Sequence, residues 1–172
     1  MMLDDINSRD RQEFVAALGG LFEGPPWIVD AAWERRPFAS EAALHEALCD
    51  VMYAAARESQ LTLLRAHPDL AGKLALAGQL SAASTREQAA AGLDSLTLEE
   101  LEEFTRLNAA YRDKFAFPFV ICARLSTKAT IRAAFVERLT HAYDEEVRAA
   151  LDEVSKICAL RLHDLLVDGG EA

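Results

Sequence analysis

The sequence has only three cysteines, Cys49, Cys122 and Cys158, and no C-x-x-C pair. An odd count without that spacing excludes a disulfide framework and a zinc ribbon, and points to reduced thiols in a cytoplasmic protein. No apolar run approaches the roughly 20 residues needed to span a membrane. The start, MMLDDINSRD, lacks a basic-then-apolar leader, and the end, VDGGEA, lacks a sorting or prenylation signal. Cations are also scarce: 18 Lys and Arg stand against 28 Asp and Glu, a formal net charge of −10. That balance argues against nucleic acid, which needs clustered cations to neutralise phosphate. It leaves room for an anionic small-molecule substrate held by a single arginine. Glycine-rich phosphate loops, G-x-S-x-G and E-x-x-H pairs are all missing. His45 with Cys49 and His141 with Glu145 have i,i+4 spacing, but each pair is isolated, and zinc takes three or four ligands. No metal and no cofactor is implied.

What is present is a helical period. Hydrophobic residues make up 51% of 172, enough for one buried core. Glycine and proline punctuation divides the chain into candidate helices at 9–18, 28–34, 40–58, 61–66, 69–77, 85–91, 98–114, 129–142 and 144–166. GGLFEGPPW reads as loop. Only FPFVICA, 117–123, resembles a strand, and it has no partner. Thr97 with Glu100 forms a capping box, and Ser84 with Glu87 has the same spacing. Gly78 and Gly92 fit the left-handed position after a helix. The charged run LEELEEF reads as a solvated helix face. The expected fold is all-α, a single compact irregular multi-helix bundle in which residues 1–172 form one domain.

Four features could carry chemistry. In RAHPDLAGKL, Pro68 keeps His67 out of the α conformation, so the imidazole sits at a helix boundary. There it either caps carbonyls or serves as an acid or base whose pKa the helix C-terminus raises. In SAASTREQ, Ser84, Glu87 and Gln88 lie within one turn, where they cap a helix or face a polar ligand. In the last helix, Val147, Leu151, Val154, Cys158 and Leu165 trace one apolar face, and Arg161 falls on it. A guanidinium there is a buried ion pair, an arginine that snorkels past its neighbours, or an anion site. In KFAFPFVICA, Pro118 denies a continuous helix, so the backbone is either packed core or the wall of a pocket.

Taken together, LGGLFEGPPWIVDAAWERRPF (18–38), AHPDLAG (66–72), SxxEQxxAGL (84–93), LNAAYRDKFAFPFVICA (107–123) and KICALRLHDLL (156–166) resemble the 2-oxo-4-hydroxy-4-carboxy-5-ureidoimidazoline (OHCU) decarboxylases of urate breakdown. The resemblance covers nearly the whole chain. It implies an all-α, cofactor-free, commonly homodimeric carboxy-lyase that converts OHCU to (S)-allantoin and CO2. By that pattern His67 and Glu87 are the catalytic acid/base residues. Pro68, Ser84, Gln88 and Arg161 contact the substrate, and backbone groups of Phe119, Val120, Ile121, Cys122 and Ala123 complete the pocket wall. Two positions depart from the pattern: Ala116 replaces a usual glycine, and His141 stands where asparagine is common. An alanine at 116 costs energy if the position needs positive φ. Two other readings stand beside this one. One is a paralogue acting on another ureido or cyclic amide acid; the other is a non-catalytic helical interaction module. The retained His67, Ser84, Glu87, Gln88 and Arg161 speak against the second.

Overall fold

The computed structural model describes residues 1–71 and 80–168. In chain order the α-helices are α1 (Leu3–Ser8), α2 (Arg11–Leu18), α3 (Trp27–Ala32), α4 (Glu41–Ala54), α5 (Arg57–Arg65), α6 (Ala82–Ala90), α7 (Leu98–Phe115), α8 (Lys128–Arg138) and α9 (Tyr143–Asp168). Short 3₁₀ turns lie at Gly19–Leu21, Trp33–Arg35 and Ala123–Leu125. Among the described residues there is no strand, so the fold is all-α. Two compact units are distinguished: Met1–Leu63 with the chain from Val154 onward, and Leu64–Glu153.

Several boundaries differ from the sequence reading, each for a local reason. Helix α1 was not expected; it ends at Arg9, where the backbone turns extended. The 9–18 segment starts at Arg11 because Asp10 caps it, with Glu13 closing the box from the other side. The long 40–58 helix stops at Ala54, and Ala55 is extended with ψ 153°. The cause lies downstream. The buried Gln60 amide donates to the carbonyls of Met52 and Tyr53 at 3.2 and 3.1 Å, so the α4 terminus is satisfied without a glycine. The expected 61–66 helix is the later part of α5. Of the expected 69–77 helix, residues 69–71 are not helical, and 72–77, like Gly78, lie outside the described residues. Helix α6 begins three residues before 85, and its cap is Ser81, whose hydroxyl accepts from the Ser84 N–H at 3.1 Å. The capping role expected of Ser84 thus belongs to Ser81. The 117–123 segment forms no strand.

Other expectations hold. Thr97 and Glu100 form a reciprocal capping box at the start of α7. Gly92 has φ +77°. Its N–H bonds the Ala89 carbonyl, and the Leu93 N–H bonds that of Gln88, a Schellman ending for α6. On α9, Val147, Leu151, Val154 and Cys158 are buried as expected, and Leu162 continues the stripe in place of Leu165.

The first unit buries Ile6, Phe14, Leu18, Ile28, Val29, Leu44, Leu48 and Met52. Arg36 stacks on Trp33 at 4.2 Å and donates to the carbonyls of Asn7 and Arg9, fixing the WERRPF turn. The second unit is built on aromatic rings. Phe119 stacks on Phe135 with centroids 3.7 Å apart, and Tyr111 meets Phe119 edge-on at 5.2 Å. Phe104, Phe115 and Phe117 complete this cluster. Through Phe119 it includes the first residue of the 119–123 segment.

Candidate active site

Helix α5 ends at Arg65, and His67 follows as a buried residue whose N–H bonds the Leu64 carbonyl at 3.2 Å. The boundary position expected from His-Pro is therefore observed. Pro68 and Asp69 are half-buried and outside any helix. Beyond them Ala71 has φ +50°, a left-handed conformation that a residue with a Cβ adopts at a cost.

Side chains from two helices hold this strained segment. On α6 the Gln88 amide accepts from the Ala71 N–H at 2.9 Å and donates to the Asp69 carbonyl at 3.4 Å. On α7 the Asn108 amide donates to the Leu70 carbonyl at 2.8 Å. Arg112, one turn further along α7, pairs with the Asp69 carboxylate at 2.8 Å. Three consecutive backbone units that no helical ladder serves are thus satisfied by side chains.

Ser84 and Gln88 are both buried and four residues apart, so they share one face of α6, with the half-buried Glu87 beside them. The Ser84 hydroxyl accepts from that of Ser81 at 3.0 Å. Helix α6 packs against the 3₁₀ turn Ala123–Leu125, whose first residue ends the 119–123 segment. Residues 69–71, through Gln88, and the turn 123–125 are therefore both brought to α6 within one unit.

Side chains from elsewhere in the unit brace the 119–123 segment. Arg138 donates to the Val120 carbonyl at 2.7 Å, and its guanidinium lies 4.4 Å over the Phe119 ring. Glu153 accepts from the Cys122 N–H at 2.8 Å. Phe119, Val120, Cys122 and Ala123 are buried, and Ile121 is half-buried. Two backbone groups expected to serve the ligand, the Val120 carbonyl and the Cys122 N–H, thus have protein partners.

Arg138 also belongs to a buried ionic knot. The Glu146 carboxylate is fully buried. One oxygen accepts from Arg138 Nε and Nη2 at 2.9 and 2.5 Å and from the Tyr111 hydroxyl in a short bond. The other faces His141 Nδ1 at 2.8 Å. Burial, together with the hydrogen bond to Glu146, pushes the Tyr111 phenol well above its ordinary range, so it stays a donor. His141 supplies one N–H to the carboxylate, which an asparagine amide would supply equally. The departure at 141 is thereby accommodated.

Arg161 belongs to the other unit. Its side chain is 9% exposed and pairs with Glu23 at 3.0 Å, with a weaker bond to the Gly20 carbonyl at 3.4 Å. The ion pair weighed as one reading of this arginine is present. Among the described residues no group of three or more His, Cys, Asp or Glu side chains is arranged to hold a metal ion.

Sequence reasoning missed Asn108, Arg138 and Glu146. A signal existed for Asn108, because Phe104, Asn108, Tyr111 and Phe115 step by four, three and four along one buried stripe. Arg138 likewise follows Ile131 and Phe135 on the buried side of α8.

These features describe an all-α protein in which two buried amide side chains, Gln88 and Asn108, hold the non-helical segment that follows His67-Pro68. A family model described as OHCU decarboxylase matches residues 7–163, which takes in both units. The chain is 44% identical over 161 residues to the OHCU decarboxylase of Mus musculus, covering 94% of this chain and 90% of the relative. It is 39% identical over 167 residues to that of Halalkalicoccus jeotgali, covering 97% and 93%. Its fold matches a crystal structure of (S)-allantoin synthase with a TM-score of 0.78 and 30% identity, covering 96% of this chain and 54% of that one. The chain thus spans about half of that longer protein. It belongs to the OHCU decarboxylase family and is a carboxy-lyase of that kind.

Proposed function

We infer that this chain decarboxylates OHCU to (S)-allantoin and CO2 in urate degradation. The observation that carries the reading is the family match across 7–163 in a chain that retains His67, Ser84, Glu87, Gln88 and Arg161. In the reaction the bond from ring carbon to carboxylate breaks and CO2 leaves. The electron pair left behind is accepted by the adjacent C=N, so the substrate carries its own electron sink and no cofactor is required. The protein's task is to orient the carboxylate, stabilise developing charge and deliver a proton to one face.

His67 and Glu87 polarise the substrate hydroxyl and manage that proton. Ser84, Gln88, Pro68 and the 119–123 backbone position the ring, with Ile121, the least buried wall residue, facing it. Arg161 holds anionic charge. The three buried thiols support a cytoplasmic site of action, and the family's habit supports a homodimer.

The test generates OHCU in situ from urate and follows circular dichroism of the product. Wild-type protein gives (S)-allantoin faster than the spontaneous decay that yields racemate. His67→Ala loses this stereospecific turnover and keeps its melting temperature. Wild-type protein that yields only racemate at the uncatalysed rate would overturn the assignment.

A further inference from the structure

We propose that Asn108 is a positioning residue for His67, acting through the backbone of the 69–71 segment. The inference rests on the acid/base role given to His67 above.

Asn108 is 7% exposed on a stripe otherwise occupied by Phe104, Tyr111 and Phe115. Among the described residues its amide uses only one half: Nδ2 donates to the Leu70 carbonyl at 2.8 Å, while Oδ1 is buried without a hydrogen-bond partner there. An amide that leaves its acceptor unmade is costly in a core, so its presence there is explained by its donor. That donor serves one backbone carbonyl, three residues beyond His67.

The segment it holds needs holding. Ala71 is in the left-handed region, and such conformations persist only where the surroundings over-determine them. Asp69 and Ala71 are fixed by Gln88 from α6. Leu70, between them, is fixed by Asn108 from α7. Without Asn108 the Leu70 carbonyl lacks this partner, and the peptide can rotate toward water. Pro68 has only one free backbone torsion, so it passes such a rotation on to His67.

The experiment compares wild type with Asn108→Leu, which is close in volume and lacks both polar atoms. Asn108→Asp, an isostere without the donor, covers the case in which Leu fails to fold. Stereospecific turnover is measured by circular dichroism as kcat and KM across pH. The ring protons of His67 are titrated by NMR in the same unliganded proteins. Only four histidines are present, and His67→Asn assigns the signal. A positioning role predicts that kcat falls about 10- to 100-fold, as small misplacements do, while KM changes far less. It also predicts that the His67 resonance and its titration midpoint move while those of the exposed His163 do not. Unchanged kcat in a folded variant overturns the proposal. So does a fall in kcat and melting temperature with an unmoved His67 titration, which marks a purely structural residue. If His67→Asn itself keeps full turnover, the acid/base assignment fails instead, and the two failures are told apart.

Discussion

Arg138 donates to the Val120 carbonyl at 2.7 Å while the same guanidinium holds the fully buried Glu146. One side chain therefore ties an ionic knot in the core to the backbone of the candidate substrate wall. Burying two charges is unfavourable, and their attraction repays it only when the remaining polar atoms are satisfied. Here they are satisfied, by Tyr111, His141 and Val120.

Breaking that pair from one side is expected to be severe. Arg138→Met leaves the Glu146 carboxylate buried without its main counter-charge, which costs about 3–5 kcal/mol in comparable settings. Replacing both partners, as Arg138→Met with Glu146→Leu, is expected to recover much of the loss, because no uncompensated charge remains. Urea unfolding of the two single variants and the double variant measures the coupling. Additive losses would show that the two groups act independently.

Ala116 offers the opposite case, a position where a change is expected to help. It closes α7 with φ +59°, and its N–H bonds the Arg112 carbonyl at 2.8 Å. The strain foreseen for an alanine in place of the usual glycine is therefore present. Left-handed geometry costs an L-residue about 1–2 kcal/mol, and glycine's greater freedom in the unfolded chain returns about 0.4–1 kcal/mol of that. Ala116→Gly is expected to raise the melting temperature by a few degrees, about 2–4 °C per kcal/mol at this length. Calorimetry checks it, and a lower melting temperature refutes it.

These two sites also show what a sequence makes legible. The break at His67-Pro68 could be read because proline restricts its predecessor through local sterics alone. The Thr97–Glu100 box and the Gly92 ending were legible for the same reason: each involves neighbours along the chain. The end of α4 was not, because Gln60 supplies the stop from the next helix. The Ser84 cap was misassigned because Ser81 has an equally good hydroxyl three residues earlier. The clamp on 69–71 draws on Gln88 and Asn108, 19 and 38 residues from the groups they hold. Only tertiary structure brings such partners together. What remains visible beforehand is the anomaly, a polar residue on an apolar stripe, without the partner that explains it.

His45 gives a pH-dependent expectation. Its hydrogen bond with Cys49, and the Ser155 carbonyl 2.9 Å away, raise its pKa above the ordinary 6.5 against the opposing effect of burial. A raised pKa means that protons bind more tightly to the folded state. The stability so gained is complete below about pH 6.5 and is lost as pH rises through the folded value. The melting-temperature gap between wild type and His45→Gln should therefore be wider at pH 5.5 than at pH 9. Melts at the two pH values decide it, and a gap that widens toward alkaline pH contradicts the assignment.

Arg161 is expected to serve both structure and substrate, and two variants separate these roles. Its side chain is 9% exposed and pairs with Glu23, itself 17% exposed. Arg161→Met leaves Glu23 without that partner, a loss of about 1–3 kcal/mol for a largely buried hydrogen-bonded charge. Glu23→Gln breaks the same ion pair but keeps the guanidinium. If Arg161 holds substrate charge, Arg161→Met should raise KM steeply, by at least about tenfold for a lost charged contact. Glu23→Gln should lose comparable stability while KM stays near the wild-type value. Equal effects of the two variants on KM would reduce Arg161 to the ion pair alone. The reverse result, KM changed by Arg161→Met with little change in melting, would mean that the bond to Glu23 adds nothing to the fold and that the guanidinium is held for the substrate.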